Sequence, residues 1–446
     1  MASVTAVLRQ LGRRPLTVIA VLAVLGAGLW AVSQPSLQLT ANCSGGGYGG
    51  TGPGGYGAPT GTCGPYVPLT PARVLDTRNG TGGVTGPIGS NSQFTVSIAG
   101  THGVPLSGAS AVVLNVTVTA PTASSYLTVW PAGQSRPLAS NLNFVAGETV
   151  ANLVEVQLGS GGAVSFYNHS GDVQVVADLQ GYVSTTATGS AGLFNPVSGT
   201  RILDTRNGTG GITGPVGPNE TIKVQVTGVG GIPASGVGAV VFNLTVTQPT
   251  APGYVTAYPD GVSNPGTSNV NFSAGETIAN RVEVPVTDGY VDLYNYTGDV
   301  QLVVDVSGYF TNSSAAASGA DFNAEAPVRI VDTRAGSGLP YSGDTLAAGA
   351  TLTVQVAGSA GVPSMSASAP PTAVVMNVTV TNTTASSWLA VWPSNVTRPL
   401  VSDINWVAGQ TQPNLVVVPV SPSGQVSFYN YNGSTDLVVD VEGWYS

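Results

Sequence analysis

"RVLDTR" occupies residues 73–78, "RILDTR" residues 201–206 and "RIVDTR" residues 329–334. The same step of 128 residues separates Asp76 from Asp204 and Asp204 from Asp332. So long a step repeats whole domains, because solenoid units run roughly 20–50 residues. Three units of this length fit a chain of 446 residues, each large enough for a core of its own. Only 8% of residues are charged, yet Arg73, Arg78, Arg201, Arg206, Arg329 and Arg334 are six of the 13 Lys+Arg. A chain that avoids charge concentrates it in these three copies, so the motif is either a site or an ion pair that holds the unit together.

Outward from the motif the pattern is alternation. "AVVLNVTVT" (111–119), "YLTVW" (126–130), "NLVEVQL" (152–158), "AVSFYN" (163–168) and "DVQVVADLQGY" (172–182) are β-branched or aromatic runs, separated by Gly, Pro, Asn and Ser. Short strands punctuated in this way predict an all-β fold of three tandem β-sandwich or jelly-roll-like domains. The units run over 66–184, 193–312 and 322–446. Between them lie "TTATGSAG" (185–192) and "SSAAASGAD" (313–321), small-residue spacers that predict separate beads on a string.

The N-terminus sets the compartment. Arg9, Arg13 and Arg14 precede the apolar run "PLTVIAVLAVLGAGLWAV" (15–32), the layout of an export signal. Residues 1–33 therefore read as a signal peptide cleaved after "AVS" (31–33), or else as an uncleaved anchor with its basic side inside. A Gly/Tyr-rich stem, 34–65, follows and holds both cysteines, Cys43 and Cys63. A disulfide between them suits an oxidising exterior. The protein is thus expected outside the cell or on its surface, touching membrane only through the N-terminal segment. Net charge is −9, and no basic cluster stands outside the N-terminus and the motifs, which argues against nucleic acid as a partner.

"PARVLDTRNGTGG" (71–83), "LTVWPAGQSRPLASNLNFVAGETVAN" (127–152) and "VVADLQGY" (175–182) return in the other units. There they read "TSNVNFSAGETIAN" (267–280) with "LVVDVSGYF" (302–310), and "LAVWPSNVTRPLVSDINWVAGQTQPN" (389–414) with "LVVDVEGWY" (437–445). From about residue 68 to the end, the chain resembles a tandem β-domain of proteins secreted by actinobacteria. The resemblance implies a non-catalytic surface or accessory module with no defined activity.

The residues point away from catalysis. His102 and His169 are the only histidines and both lie in the first unit, so no Ser-His-Asp or histidine–metal site can repeat. Among acids that might pair for general acid–base work, Glu148 and Glu276 give way to Gln410, and Glu155 and Glu283 to Val417. Asp172 and Asp299 sit in turns where hard oxygen ligands could hold calcium, but Ser434 replaces them in the third unit, and a solvated turn is the expectation. No metal or cofactor is expected.

Two acids keep their places in every unit. They are Asp76, Asp204 and Asp332 in the motif, and Asp178, Asp305 and Asp440 in the most apolar strand. A carboxylate in such a strand needs a cation, and the motif arginines are nearly the only ones present. A structural ion-pair network is therefore expected to join the first and last segments of each unit. Strand alternation would put Val74, Asp76 and Arg78 on one face and Arg73, Leu75 and Thr77 on the other. Asn115, Asn243 and Asn377 recur, as do Asn143, Asn271 and Asn405, and Asn152, Asn280 and Asn414; their amides are expected to satisfy backbone groups at turns and bulges.

Three aromatic pairs recur as well: Tyr126/Trp130, Tyr254/Tyr258 and Trp388/Trp392. Their even spacing sends both rings of a pair to one face, opposite Leu127/Val129, Val255/Ala257 and Leu389/Val391. The rings are either core bulk between sheets or an outward platform for flat sugar faces. The sequence thus supports a non-enzymatic structural or adhesive surface protein, with a binder of cell-wall or extracellular glycan as the alternative. Partners are a glycan or other surface proteins.

Overall fold

The computed structural model describes residues 63–316 and 319–446. Residues 1–33, expected to be an export segment, and Cys43, hence the expected Cys43–Cys63 pair, lie outside those residues, and Cys63 itself opens the first strand. Among the described residues no helix is long and apolar enough to cross a membrane.

The fold is all-β. After β1 (Cys63–Gly64), the first unit runs β2 (Tyr66–Asp76), β3 (Ser92–Ser97), β4 (Ala109–Thr119), β5 (Ser125–Pro131), β6 (Leu142–Phe144), β7 (Val150–Gln157), β8 (Ala163–Asn168) and β9 (Gln174–Ser184). The second repeats it as β10 (Phe194–Asp204), β11 (Glu220–Gln225), β12 (Val237–Thr247), β13 (Gly253–Pro259), β14 (Val270–Phe272), β15 (Ile278–Pro285), β16 (Tyr290–Asn295) and β17 (Gln301–Thr311). The third follows as β18 (Phe322–Asp332), β19 (Thr351–Gln355), β20 (Ala373–Thr381), β21 (Ser387–Pro393), β22 (Ile404–Trp406), β23 (Gln412–Pro419), β24 (Gln425–Asn430) and β25 (Asp436–Tyr445).

Each unit contributes two antiparallel sheets. The first unit's inner sheet has the order β2-β9-β4-β7 and its outer sheet β3-β8-β5-β6, and the other units match. Alternation along β4 builds the contact between them. Val112, Leu114, Val116 and Val118 share a core with Leu127, Val129, Val164 and Phe166 of the outer sheet. The opposite face of β4 is apolar too, and it faces elsewhere. Ala111 and Val113 join Val241 and Val375, the matching residues of the other units, in a central cluster. Within that cluster Tyr66 lies 4.4 Å from Phe310, and Phe194 lies 4.1 Å from Tyr445.

This shared centre corrects the expectation of three separate tandem sandwiches. Six small sheets stand in a ring, propeller-like, and the three inner ones meet at a shared central cluster. The physical reason is the second apolar face of each inner sheet, which would be left in water if the units were beads.

The ring closes by backbone pairing. Tyr66 donates to Gly192, just ahead of the second unit, and Phe194 pairs with Ala320, just ahead of the third. The third junction is made by β1: Cys63 and Gly64 pair with Asn323 and Phe322 on β18. Side chains reinforce the junctions with threefold regularity. Asn280 donates to Asn115 at 2.7 Å, Asn414 to Asn243 at 2.8 Å and Asn152 to Asn377 at 2.9 Å. The same three amides accept from the backbones of Leu153, Arg281 and Leu415. Buried amides that bond on both edges fix one arrangement of the three units, because an unpaired amide there would be costly.

Candidate functional site

The repeated motif forms a local bulge. Arg73 pairs with Asp178 and Leu75 with Ala177, so Val74 is the extra residue, and the other units repeat this at Arg201/Leu203 and Arg329/Val331. One inserted residue reverses the alternation beyond it. Arg73 and Asp76, which simple alternation puts on opposite faces, therefore meet, with Arg73 Nη1 at 3.4 Å from Asp76 Oδ2. Arg73 Nε also lies 2.9 Å from Asp178 Oδ1, and Arg78 grips Asp76 at 2.8 and 2.7 Å. Arg201, Asp204, Arg206 and Asp305 form the same network, as do Arg329, Asp332, Arg334 and Asp440.

The two acids of each network differ electrostatically. The Arg78 hydrogen bonds hold Asp76 below the usual carboxylate range, and Arg206 and Arg334 do the same for Asp204 and Asp332. Burial pushes Asp178, Asp305 and Asp440 upward, opposed by the guanidinium beside each. Asp178→Asn in the full chain is expected to cost about 2 kcal/mol, measured by urea unfolding. That is less than the roughly 3–5 kcal/mol of a fully buried pair, because Arg73 keeps 28% of its side chain in water. An unchanged unfolding midpoint would remove the network from the account of stability.

The aromatic pairs divide. Trp130, Tyr258 and Trp392 are buried, and the indoles of Trp130 and Trp392 donate to the carbonyls of Gln134 and Val396 in the loop folded over them. Leu127, Val129 and their counterparts are buried in the core. Tyr126, Tyr254 and Trp388 are half-buried on the outer face, each stacked on a more exposed ring from the end of the neighbouring strand. The stacks are Tyr126–His169 at 4.7 Å, Tyr254–Tyr296 at 4.7 Å and Trp388–Tyr431 at 5.2 Å. Beside two of them an arginine lies flat on a third ring, Arg136 on Tyr167 and Arg398 on Tyr429. The single lysine, Lys223, lies over Tyr290 on the second unit's outer sheet. Each unit thus presents a stacked pair of rings with polar edges.

Other candidate residues have local roles. Glu148, Glu276 and Gln410 accept from backbone N–H three residues earlier, in the same turn of each unit. Asp172 and Asp299 are exposed, and His102 sits in a turn with positive φ. Among the described residues no group of three His, Cys, Asp or Glu is arranged to hold a metal ion.

Two features at the centre escape a reading of motifs. Arg281 stands where the other units have Leu153 and Leu415, is 1% exposed, and lies 3.0 Å from Asp403, which replaces Asn141 and Asn269. Close by, Glu155, Glu283 and Glu442 are buried together. Burial pushes Glu283 up to about 7 and Glu442 to about 8, and it raises Glu155 well above its ordinary value. The visible signals were a charged residue inside the apolar runs "NLVEVQL" and "NRVEVP" and an arginine in a leucine's place.

No protein-family model matches the chain, and no curated protein does. Among solved structures it is similar to a chain from "The Triple Jelly Roll Fold and Turret Assembly in an Archaeal Virus", at 11% identity over 85% of this chain and 90% of that one, with a TM-score of 0.19. A chain of the Sulfolobus Turreted Icosahedral Virus gives 13% identity over 86% and 91%, with a TM-score of 0.18. The tandem CBM22-1–CBM22-2 domain of Paenibacillus barcinonensis Xyn10C gives 11% over 55% and 100%, with a TM-score of 0.17. Likenesses this slight say nothing of what the chain does.

Proposed function

We propose that the chain is a non-enzymatic, exported adhesive protein, and that its ring displays three aromatic patches to glycan outside the cell. The observation that carries this reading is the stacked ring pair repeated on every outer sheet: Tyr126–His169, Tyr254–Tyr296 and Trp388–Tyr431. Flat, partly exposed rings with polar groups at their edges suit sugar faces, whose C–H groups pack on aromatic surface while their hydroxyls bond at the rim. Three patches on one ring suit a polymer, since a second contact on the same chain forms at high effective concentration.

The test is retention on immobilised polysaccharides, comparing the protein with a variant carrying Tyr126→Ala, Tyr254→Ala and Trp388→Ala. At least tenfold weaker retention of the variant, with an unchanged β-sheet spectrum, is expected. Equal behaviour of the two proteins across wall and extracellular polysaccharides would end this reading.

A further inference from the structure

Arg73 and Arg78 of the first unit line a cavity of about 220 Å³ whose other wall is Tyr254, Gly266, Ser268 and Asn271 of the second. The ion-pair motif and the aromatic patch, far apart within a unit, thus meet across a junction. We propose that this groove takes a carboxylate-bearing sugar, a uronic acid residue of an acidic glycan, an inference that rests on the glycan reading above.

The lining offers donors. Arg78 commits Nε and Nη2 to Asp76, which leaves Nη1 for a ligand, and half of its side chain is in solvent. The Asn271 carbonyl oxygen accepts from Ser268, so its amide N–H₂ is on offer, directly across the strand pair from Tyr254. Thr117 and Thr267, also in the lining, are buried and their hydroxyls have no hydrogen-bond partner. The acceptors close by are already engaged, Asp76 by Arg78 and Asp178 by Arg73. A donor-rich wall beside a tyrosine face selects a flat ring that carries acceptors, and a carboxylate receives charge-assisted bonds from a guanidinium. The matching loop positions in the other units carry Leu138 and Leu400, both strongly exposed, where this junction has Gly266. The groove beside Gly266 is therefore the more polar one.

The experiment is calorimetric titration of the full protein with trigalacturonate and with neutral galactotriose, short probes chosen so that one groove is read without bridging between patches. The acidic trimer is expected to bind at least tenfold more tightly. Asn271→Leu and Arg78→Gln should each weaken it at least tenfold, and Arg78→Gln should leave the neutral trimer unaffected. Asn271 is half-exposed, so its variant keeps the test valid if Arg78→Gln fails to fold. Equal affinity for both trimers, abolished by Tyr254→Ala, would overturn the acidic-sugar inference and leave the glycan reading standing. Binding of neither would overturn the inference and leave the glycan reading to the polysaccharide retention test, and acidic binding that survives both substitutions would place the site elsewhere and overturn the inference.

Discussion

Asp403→Ala is expected to destabilise the ring by about 3–5 kcal/mol, while Arg281→Leu combined with Asp403→Asn is expected to cost nothing or to stabilise. Arg281 is fully buried where the inner sheets meet. Its guanidinium bonds Asp403 at 3.0 Å, the Ser307 hydroxyl at 2.8 Å and the Leu415 carbonyl at 3.2 Å. Losing Asp403 leaves a buried cation without its hydrogen-bonded ion-pair partner, and it also frees the Val391 N–H that Asp403 accepts at 2.8 Å. The double change writes the first unit's own solution into the junction. Leu153 already fills the matching place, and Asn141 already accepts from Val129 at 2.7 Å. Urea unfolding of the two variants decides it. A double variant as unstable as the single one would mean that the ion pair is required rather than tolerated.

The second large effect is a stability that falls as pH rises. Glu155, Glu283 and Glu442 hold protons in the folded ring that the unfolded chain releases above about pH 4.5. A raised folded-state value means that full stability is present below the unfolded value, and that it is lost as pH climbs through the folded one. Each group contributes a slope of about 1.4 kcal/mol per pH unit over that window, so several kcal/mol should vanish between pH 5 and pH 8. Asp76, Asp204 and Asp332 act in the opposite sense, since their lowered values make acid below about pH 4 destabilising. The unfolding midpoint should therefore peak near pH 5. Glu442→Gln, which copies Gln180 of the first unit, should flatten the alkaline limb. A midpoint that holds level from pH 5 to pH 8 would show that these carboxyls are not kept neutral.

The all-β class and the threefold repetition could be read directly, because alternation and motif spacing are properties of the chain itself. The ring was not read from the sequence, although one clue was visible. "AVVLNVTVT" is apolar on both faces, and a strand buried on one side has no need of that. The recurrent asparagines were expected to satisfy backbone groups at turns and bulges; Asn152, Asn280 and Asn414 instead bond asparagines of other units, where sequence spacing gives no guide. The bulge at Val74 was hidden because any residue can occupy it. Even spacing puts Tyr126 and Trp130 on one face, yet nothing in the spacing reveals that the loop carrying Gln134 folds over the second ring. Glu155 and Glu283 attracted no notice as a central pair because Val417 breaks their recurrence, although Glu442 restores a third acid from a different strand.

The ring has a seam. Two of its three junctions are spanned by chain running on into the next unit, whereas the third is made by the two-residue strand β1 lying on β18, whose other edge pairs with β25 at Tyr445, and by side-chain bonds such as Asn152 to Asn377. The first and last described segments thus share a single sheet. A polypeptide leaving the ribosome cannot finish this circle until strands β18 to β25 exist, so the centre with its buried arginine and carboxyls stays open to water through most of synthesis. If tension reaches the ring from the N-terminal side, it arrives at the one junction that, among the described residues, no onward chain spans. Such a load is expected to part β1 from β18 before it disturbs either junction that the chain itself spans.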